Sequence, residues 1–136
     1  MIKLMAICLA LGLGLVPYAR AAGPYDGSSA LICALNEVID CAPRADCQRG
    51  APESVNLPHF IKLNFTDKTL STTEVAQKKR STPIKAIEQF DSSMILQGVE
   101  DGRAWSMVIA KDTGKMSATV ADDQAGFVVF GACTPF

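Results

Sequence analysis

Histidine, tryptophan and membrane-length apolar runs are scarce in this chain. His59 is the single histidine among 136 residues. One imidazole is too few for a His-rich metal site, and any Ser–His–acid arrangement would have to be built on His59. His59 follows Pro58 at the entry of a strand pattern, where it is expected to serve as a strand residue with a satisfied ring. No serine stands in a Gly-x-Ser-x-Gly elbow, and P-loop, dinucleotide and EF-hand spacings are missing. The acids Glu100, Asp101, Asp112, Asp122 and Asp123 fall in turns, where Asp is favoured for backbone reasons, so a paired-carboxylate site is not expected. Met94, Met107 and Met116 lack the neighbours of a thioether copper site and read as core filler. The sequence therefore implies no cofactor and no metal.

An excess of positive charge is also missing. Lysine and arginine number 13 against 14 acids, a net charge of −1. No basic patch dominates, which argues against nucleic acid or an anionic membrane as partner. The only long apolar run is at the start. Met1-Ile2-Lys3 forms a positive n-region, Leu4 to Val16 is uncharged, and Ala19-Arg20-Ala21 is an A-x-A cleavage pattern. These are the parts of a secretory signal peptide over residues 1–21. Ile7 before Cys8 does not suit a lipoprotein signal. Cleavage after Ala21 leaves residues 22–136 as a single domain of 115 residues, with 11 basic and 14 acidic residues and a net charge of −3. No second run reaches helical membrane-spanning length, so no membrane insertion is expected after cleavage.

Four cysteines remain: Cys33, Cys41, Cys47 and Cys133. An even count in an exported chain of this size predicts two disulfides and a periplasmic or secreted location. The spacings do not match a zinc site. Of three connectivities, Cys41–Cys47 with Cys33–Cys133 is favoured, and Cys33–Cys47 with Cys41–Cys133 is the runner-up. The long bridge would contribute roughly 4 kcal/mol on the chain-entropy model.

Ala22 to Ser29 is turn-forming and expected to be a mobile lead-in. From Ala30, the residues Leu31, Ala34, Leu35, Val38 and Ile39 recur at helical spacing, which predicts a short N-terminal helix capped by Ser28 or Ser29. Cys33 falls off its apolar face, so the helix is expected to give way before Cys41. Pro43 to Pro52 reads as a loop. Ile61, Leu63 and Phe65 alternate with Lys62 and Asn64 as a half-buried strand, with a turn at Thr66–Lys68 and a return strand over Thr69–Thr73. Ile84 to Phe90 alternates weakly.

The clearest stretch is Met94 to Cys133. Asp101-Gly102 predicts a two-residue type I′ hairpin that sets Glu100 opposite Arg103, Gly98 opposite Trp105 and Leu96 opposite Met107. The indole would then lie across Gly98. Asp112-Thr113-Gly114 predicts a turn with Gly114 left-handed. Phe127, Val128, Val129 and Phe130 make the last strand apolar on both sides, which predicts cover on each face. The predicted fold is mainly β: about seven strands in a small antiparallel meander, closing into a barrel or a two-layer sandwich.

At Asp40-Cys41 and Asp46-Cys47, at Val55-Asn-Leu-Pro and Phe60-Ile-Lys-Leu-Asn-Phe, and at Gly126-Phe-Val-Val-Phe-Gly-Ala-Cys-Thr134, the chain resembles small exported proteins of Gram-negative bacteria that carry no assigned function. The motifs are turns, strands and cysteines, so the resemblance implies a fold and transfers no functional residue.

Three functions are expected, in descending order. The first is a non-enzymatic binding, inhibitor or accessory protein, which presents the basic loop Lys78, Lys79 and Arg80 to a periplasmic protein partner. The second is a carrier of a small apolar ligand in a barrel interior lined by residues such as Leu96, Met107, Phe127 and Val129, which needs a cavity of about 300 Å³ or more. The third is a hydrolase of unfamiliar type, which would need His59 beside an acid in an open cleft.

Overall fold

The last strand pairs with the first. In the computed structural model, which describes residues 24–73 and 78–136, nine antiparallel strands follow in chain order. They are β1 (Leu31–Cys41), β2 (Gln48–Gly50), β3 (Phe60–Asn64), β4 (Thr69–Thr72), β5 (Ser81–Gln89), β6 (Ser93–Glu100), β7 (Arg103–Ala110), β8 (Lys115–Ala121) and β9 (Gly126–Pro135). Each strand from β3 to β9 pairs with its successor, and β9 returns to pair with β1. One edge of β1 lies along β9 from Leu31 to Cys41; the other is shared by β3 over Leu31–Ala34 and β2 over Val38–Asp40. Eight strands thus close an up-and-down barrel, the meander taking the barrel and not the sandwich form, with β2 as a short flap on β1. The signal-peptide segment lies outside the described residues.

Alternation fixes the interior. Inward residues include Ile61 and Leu63 on β3, Met94 and Leu96 on β6, Trp105, Met107 and Ile109 on β7, and Met116 and Ala118 on β8, all at most 9% exposed. The three methionines are core, as their neighbours imply. The β6–β7 hairpin has the predicted register throughout, from Glu100↔Arg103 to Leu96↔Met107, and Asp101 and Gly102 take the positive φ angles of +48° and +78° that a type I′ turn demands. Gly114 is left-handed at φ +69°.

The predicted N-terminal helix is not formed: Leu31–Cys41 is strand, and the one helical element among the described residues is a 3₁₀ turn at Pro52–Val55. The cause is a bulge. β1 pairs Leu35 with Gly131 but Glu37 with Phe130, so one residue is inserted and the inward phase skips from Leu35 to Val38. Buried positions 31, 35 and 38 then reproduce the i, i+4, i+7 signature of a helix. Cys33, off the helical face, lies in phase with Leu31 and Leu35 in the strand and is fully buried. A second bulge, between Ile84 and Ala86, explains the weak alternation of β5 by moving the inward phase from Ile84 to Ile87.

Three further expectations need correction. Nine strands occur among the described residues, because β1 and the short flap β2 add to the seven of the meander. The last strand is covered on one side only: Val129 is buried, whereas Phe130 on the outer face is 40% exposed, because no second layer packs outside a closed barrel. Finally, the described part of the lead-in is anchored. Tyr25 packs on the core, and the Asp26 carbonyl accepts a hydrogen bond from Gln89 Nε2 at 3.0 Å.

Both favoured disulfides are present. Cys33 and Cys133 are direct partners across the β1–β9 seam, and Cys41–Cys47 closes the β1–β2 turn. Two disulfides point to an oxidising, extracytoplasmic compartment.

Candidate functional site

The two ends of the barrel differ. At the base, where β1 begins, Tyr25 sits over the β7–β8 turn so closely that a side chain on Gly114 would collide with its ring. At the top, the β6–β7 and β8–β9 turns, the start of β5 and the segment after the 3₁₀ turn surround an opening that leads into a cavity of about 120 Å³.

Its inner walls are apolar. Leu35 of β1, Ile61 of β3, Met107 of β7, Met116 and Ala118 of β8, and Phe127 and Val129 of β9 meet there. Of the four interior residues expected to line a ligand space, Met107, Phe127 and Val129 do so; Leu96 is buried deeper in the core. The volume is well short of the roughly 300 Å³ that the carrier expectation required, so this cavity fits only a smaller occupant than that expectation supposed. It holds about four water volumes, which is the room of a small aliphatic group.

Trp105 stands one layer below the mouth. Its indole lies across Gly98, directly opposite on β6: a Cβ on that glycine would come within 2.3 Å of Trp105 Cζ2 and 2.7 Å of Nε1. Any other residue at position 98 would therefore evict the ring. Trp105 is 8% exposed, and its Nε1–H is the one buried side-chain polar atom with no hydrogen-bond partner among the described residues. Buried donors are ordinarily paired, and an orphan costs about 1–3 kcal/mol. Beside it, Thr82 is buried and donates its hydroxyl to the Val99 carbonyl at 2.9 Å, so this polar group is satisfied.

The rim is charged because the inward phase of four successive strands runs out into water there. Arg80 precedes Thr82 and Ile84 on the inward face of β5; Glu100 follows Gly98 on β6; Arg103 precedes Trp105 on β7; Asp122 follows Val120 after β8. Signs alternate around this half of the mouth. Arg80, Glu100 and Arg103 all line the opening. The Arg80 guanidinium donates to the Asn56 carbonyl at 2.5 Å, which pins the start of β5 to the segment after the 3₁₀ turn. Arg103 Nε donates to Asp122 Oδ2 at 3.0 Å. Asp122 also accepts the backbone N–H groups of Gln124 and Ala125; these, with the guanidinium, hold its carboxyl below the usual range. The Glu100 carboxylate has no hydrogen bond or ion pair among the described residues.

The basic loop is split by the fold. Arg80 is half-buried at the cavity mouth, while Lys78 and Lys79 are exposed just before it. His59 lies before β3, not within it, and its Nε2 pairs with Glu53 Oε1. Both side chains are more than half exposed, neither lines the cavity, and no serine or cysteine bonds to the imidazole among the described residues. The nearby Ser54 hydroxyl is given to the Ala51 carbonyl. No cluster of three His, Cys, Asp or Glu side chains suited to a metal occurs among the described residues. The Trp105–Gly98 contact was readable from the hairpin; the convergence of Arg80, Glu100 and Arg103 was not, since it depends on which strands are neighbours.

No protein-family model, curated protein or solved structure matches the chain.

Proposed function

We propose that the chain is a periplasmic protein that acts by binding rather than by chemistry, and that its site is the open end of the barrel. The observation that carries this reading is the pairing of a preformed apolar cavity of about 120 Å³ with a rim of charged side chains, at the end away from Tyr25. Apolar walls with a few convergent polar groups are the usual form of a small-ligand site. The disulfide that staples the seam stiffens the wall and lowers the cost of keeping the cavity open.

The occupant is a small apolar group. Trp105 is the single tryptophan in the chain, so its fluorescence reports this site alone. Titration with short aliphatic alcohols is expected to shift Trp105 emission saturably. Ala118→Leu, which puts three more carbons into the cavity, is expected to abolish the shift while far-UV circular dichroism stays unchanged. An unsaturable response, or one that Ala118→Leu leaves intact, would overturn the reading.

A protein partner is the second reading, and the position of Arg80 favours it: the loop carrying Lys78 and Lys79 leads directly onto the rim. Replacing Lys78, Lys79 and Arg80 together with Ala is expected to remove a periplasmic partner from affinity capture. Unchanged recovery would set the loop aside.

A further inference from the structure

We infer that the ligand of the open barrel end is a free α-amino acid with a short aliphatic side chain, leucine-like in size, bound as its zwitterion. This rests on the cavity reading above and adds the chemistry of the headgroup.

Unspent charged groups of both signs at the mouth carry it. Arg80 has five N–H donors and gives one to Asn56, so most of its fork is free at the mouth. Glu100, facing inward from the neighbouring strand, has no hydrogen bond or ion pair among the described residues. The second cation of the rim, Arg103, gives its Nε–H to Asp122 and, like Arg80, keeps its other N–H groups. The mouth thus sets guanidinium donors beside the carboxylates of Glu100 and Asp101, above an apolar hole.

A simple carboxylate would satisfy Arg80 but stand beside Glu100. A simple amine would satisfy Glu100 but stand beside Arg80. An α-amino acid brings both charges on one carbon: its carboxylate accepts from the Arg80 guanidinium, and its ammonium donates to Glu100. The side chain then enters the cavity between Met107, Met116 and Val129. Size completes the argument, since about 120 Å³ admits a four-carbon branched group but is smaller than the roughly 150 Å³ cavity known to hold a benzene ring.

The test is a matched series read by Trp105 fluorescence and titration calorimetry on the full mature protein: L-leucine, 4-methylpentanoate without the ammonium, isopentylamine without the carboxylate, and isopentanol without either charge. Leucine is expected to bind tightest, with each singly charged analogue weaker by about tenfold or more, the worth of one charge-assisted hydrogen bond. Glu100→Gln is expected to reverse the order of leucine and 4-methylpentanoate, because it removes the anion that opposes a lone carboxylate. If leucine binds no better than isopentanol, the zwitterion is refuted while the cavity reading stands. If none of the four moves the tryptophan, both fall.

Discussion

Removing the disulfide of the seam should cost far more than removing the other one, although each is a single bond of the same kind. A cross-link over n residues restricts the unfolded chain by an entropy of about 2.1 + 1.5R ln n cal/mol/K. For the separation of 100 residues between Cys33 and Cys133 this is about 4.7 kcal/mol, and for the 6 between Cys41 and Cys47 about 2.2 kcal/mol. Native-state burial widens the gap. Cys33 and Cys133 are 0% and 5% exposed, so their truncation also leaves a small void, whereas Cys47 is in water. Against a whole-domain stability of about 5–15 kcal/mol, the first loss is a third or more of the total. The comparison is Cys33→Ala/Cys133→Ala with Cys41→Ala/Cys47→Ala in urea, followed by Trp105 fluorescence and far-UV circular dichroism. The seam variant is expected to lose at least about 2.5 kcal/mol more than the flap variant, and its m-value is expected to rise because the uncrosslinked chain unfolds to a larger ensemble. Equal losses, or a larger loss from Cys41–Cys47, would refute the claim that loop length governs the difference.

Three further outcomes follow from the packing and the rim. Gly98→Ala should destabilise by about 1–3 kcal/mol and shift Trp105 emission, since the indole must move aside. Gly131→Ala should cost more and leave the emission unchanged, because its Cβ would come within 2.1 Å of the Ala34 carbonyl oxygen, backbone that has nowhere to go; thermal unfolding and emission spectra separate the two. The Asp122 carboxyl is held lower in the folded state than in the unfolded chain by the Gln124 and Ala125 N–H groups and Arg103. Its contribution is therefore fully present above the ordinary carboxylate value of about 3.9 and is lost as pH falls through the lower folded value. Urea midpoints should show Asp122→Asn less stable than the parent at pH 6, with the difference shrinking below pH ~3.9; a difference that grows in acid would contradict the assignment.

Where the chain obeys strict alternation, its fold was legible. The β6–β7 hairpin needed only Asp101-Gly102 and a run of inward residues, and that register already laid the indole on Gly98. The cysteine pairing was also legible, since a six-residue spacing suits a turn and leaves the remaining two for each other. What failed were the bulged strands. An inserted residue in β1 turned a period of two into a sequence with the period of a helix, and the bulge in β5 blurred its face. Local pattern cannot distinguish these cases, because a bulge is set by the partner strand, here β9, nearly a hundred residues on. The site was half legible for the same reason. Met107, Phe127 and Val129 are apolar at inward positions, whereas the mouth is assembled from Arg80, Glu100 and Arg103 only after strand neighbours are fixed. Arg80 gains its place from a carbonyl 24 residues away.

The seam has a bearing on how the molecule is made. Its two edges are the first and the last of the barrel strands to leave the ribosome, so a nascent chain holds an open, curling sheet until β9 is available. Until then the sulfur of Cys33 has no mate in register. The bond between Cys33 and Cys133 thus records closure: an oxidised pair marks a molecule whose β9 has been zipped onto β1.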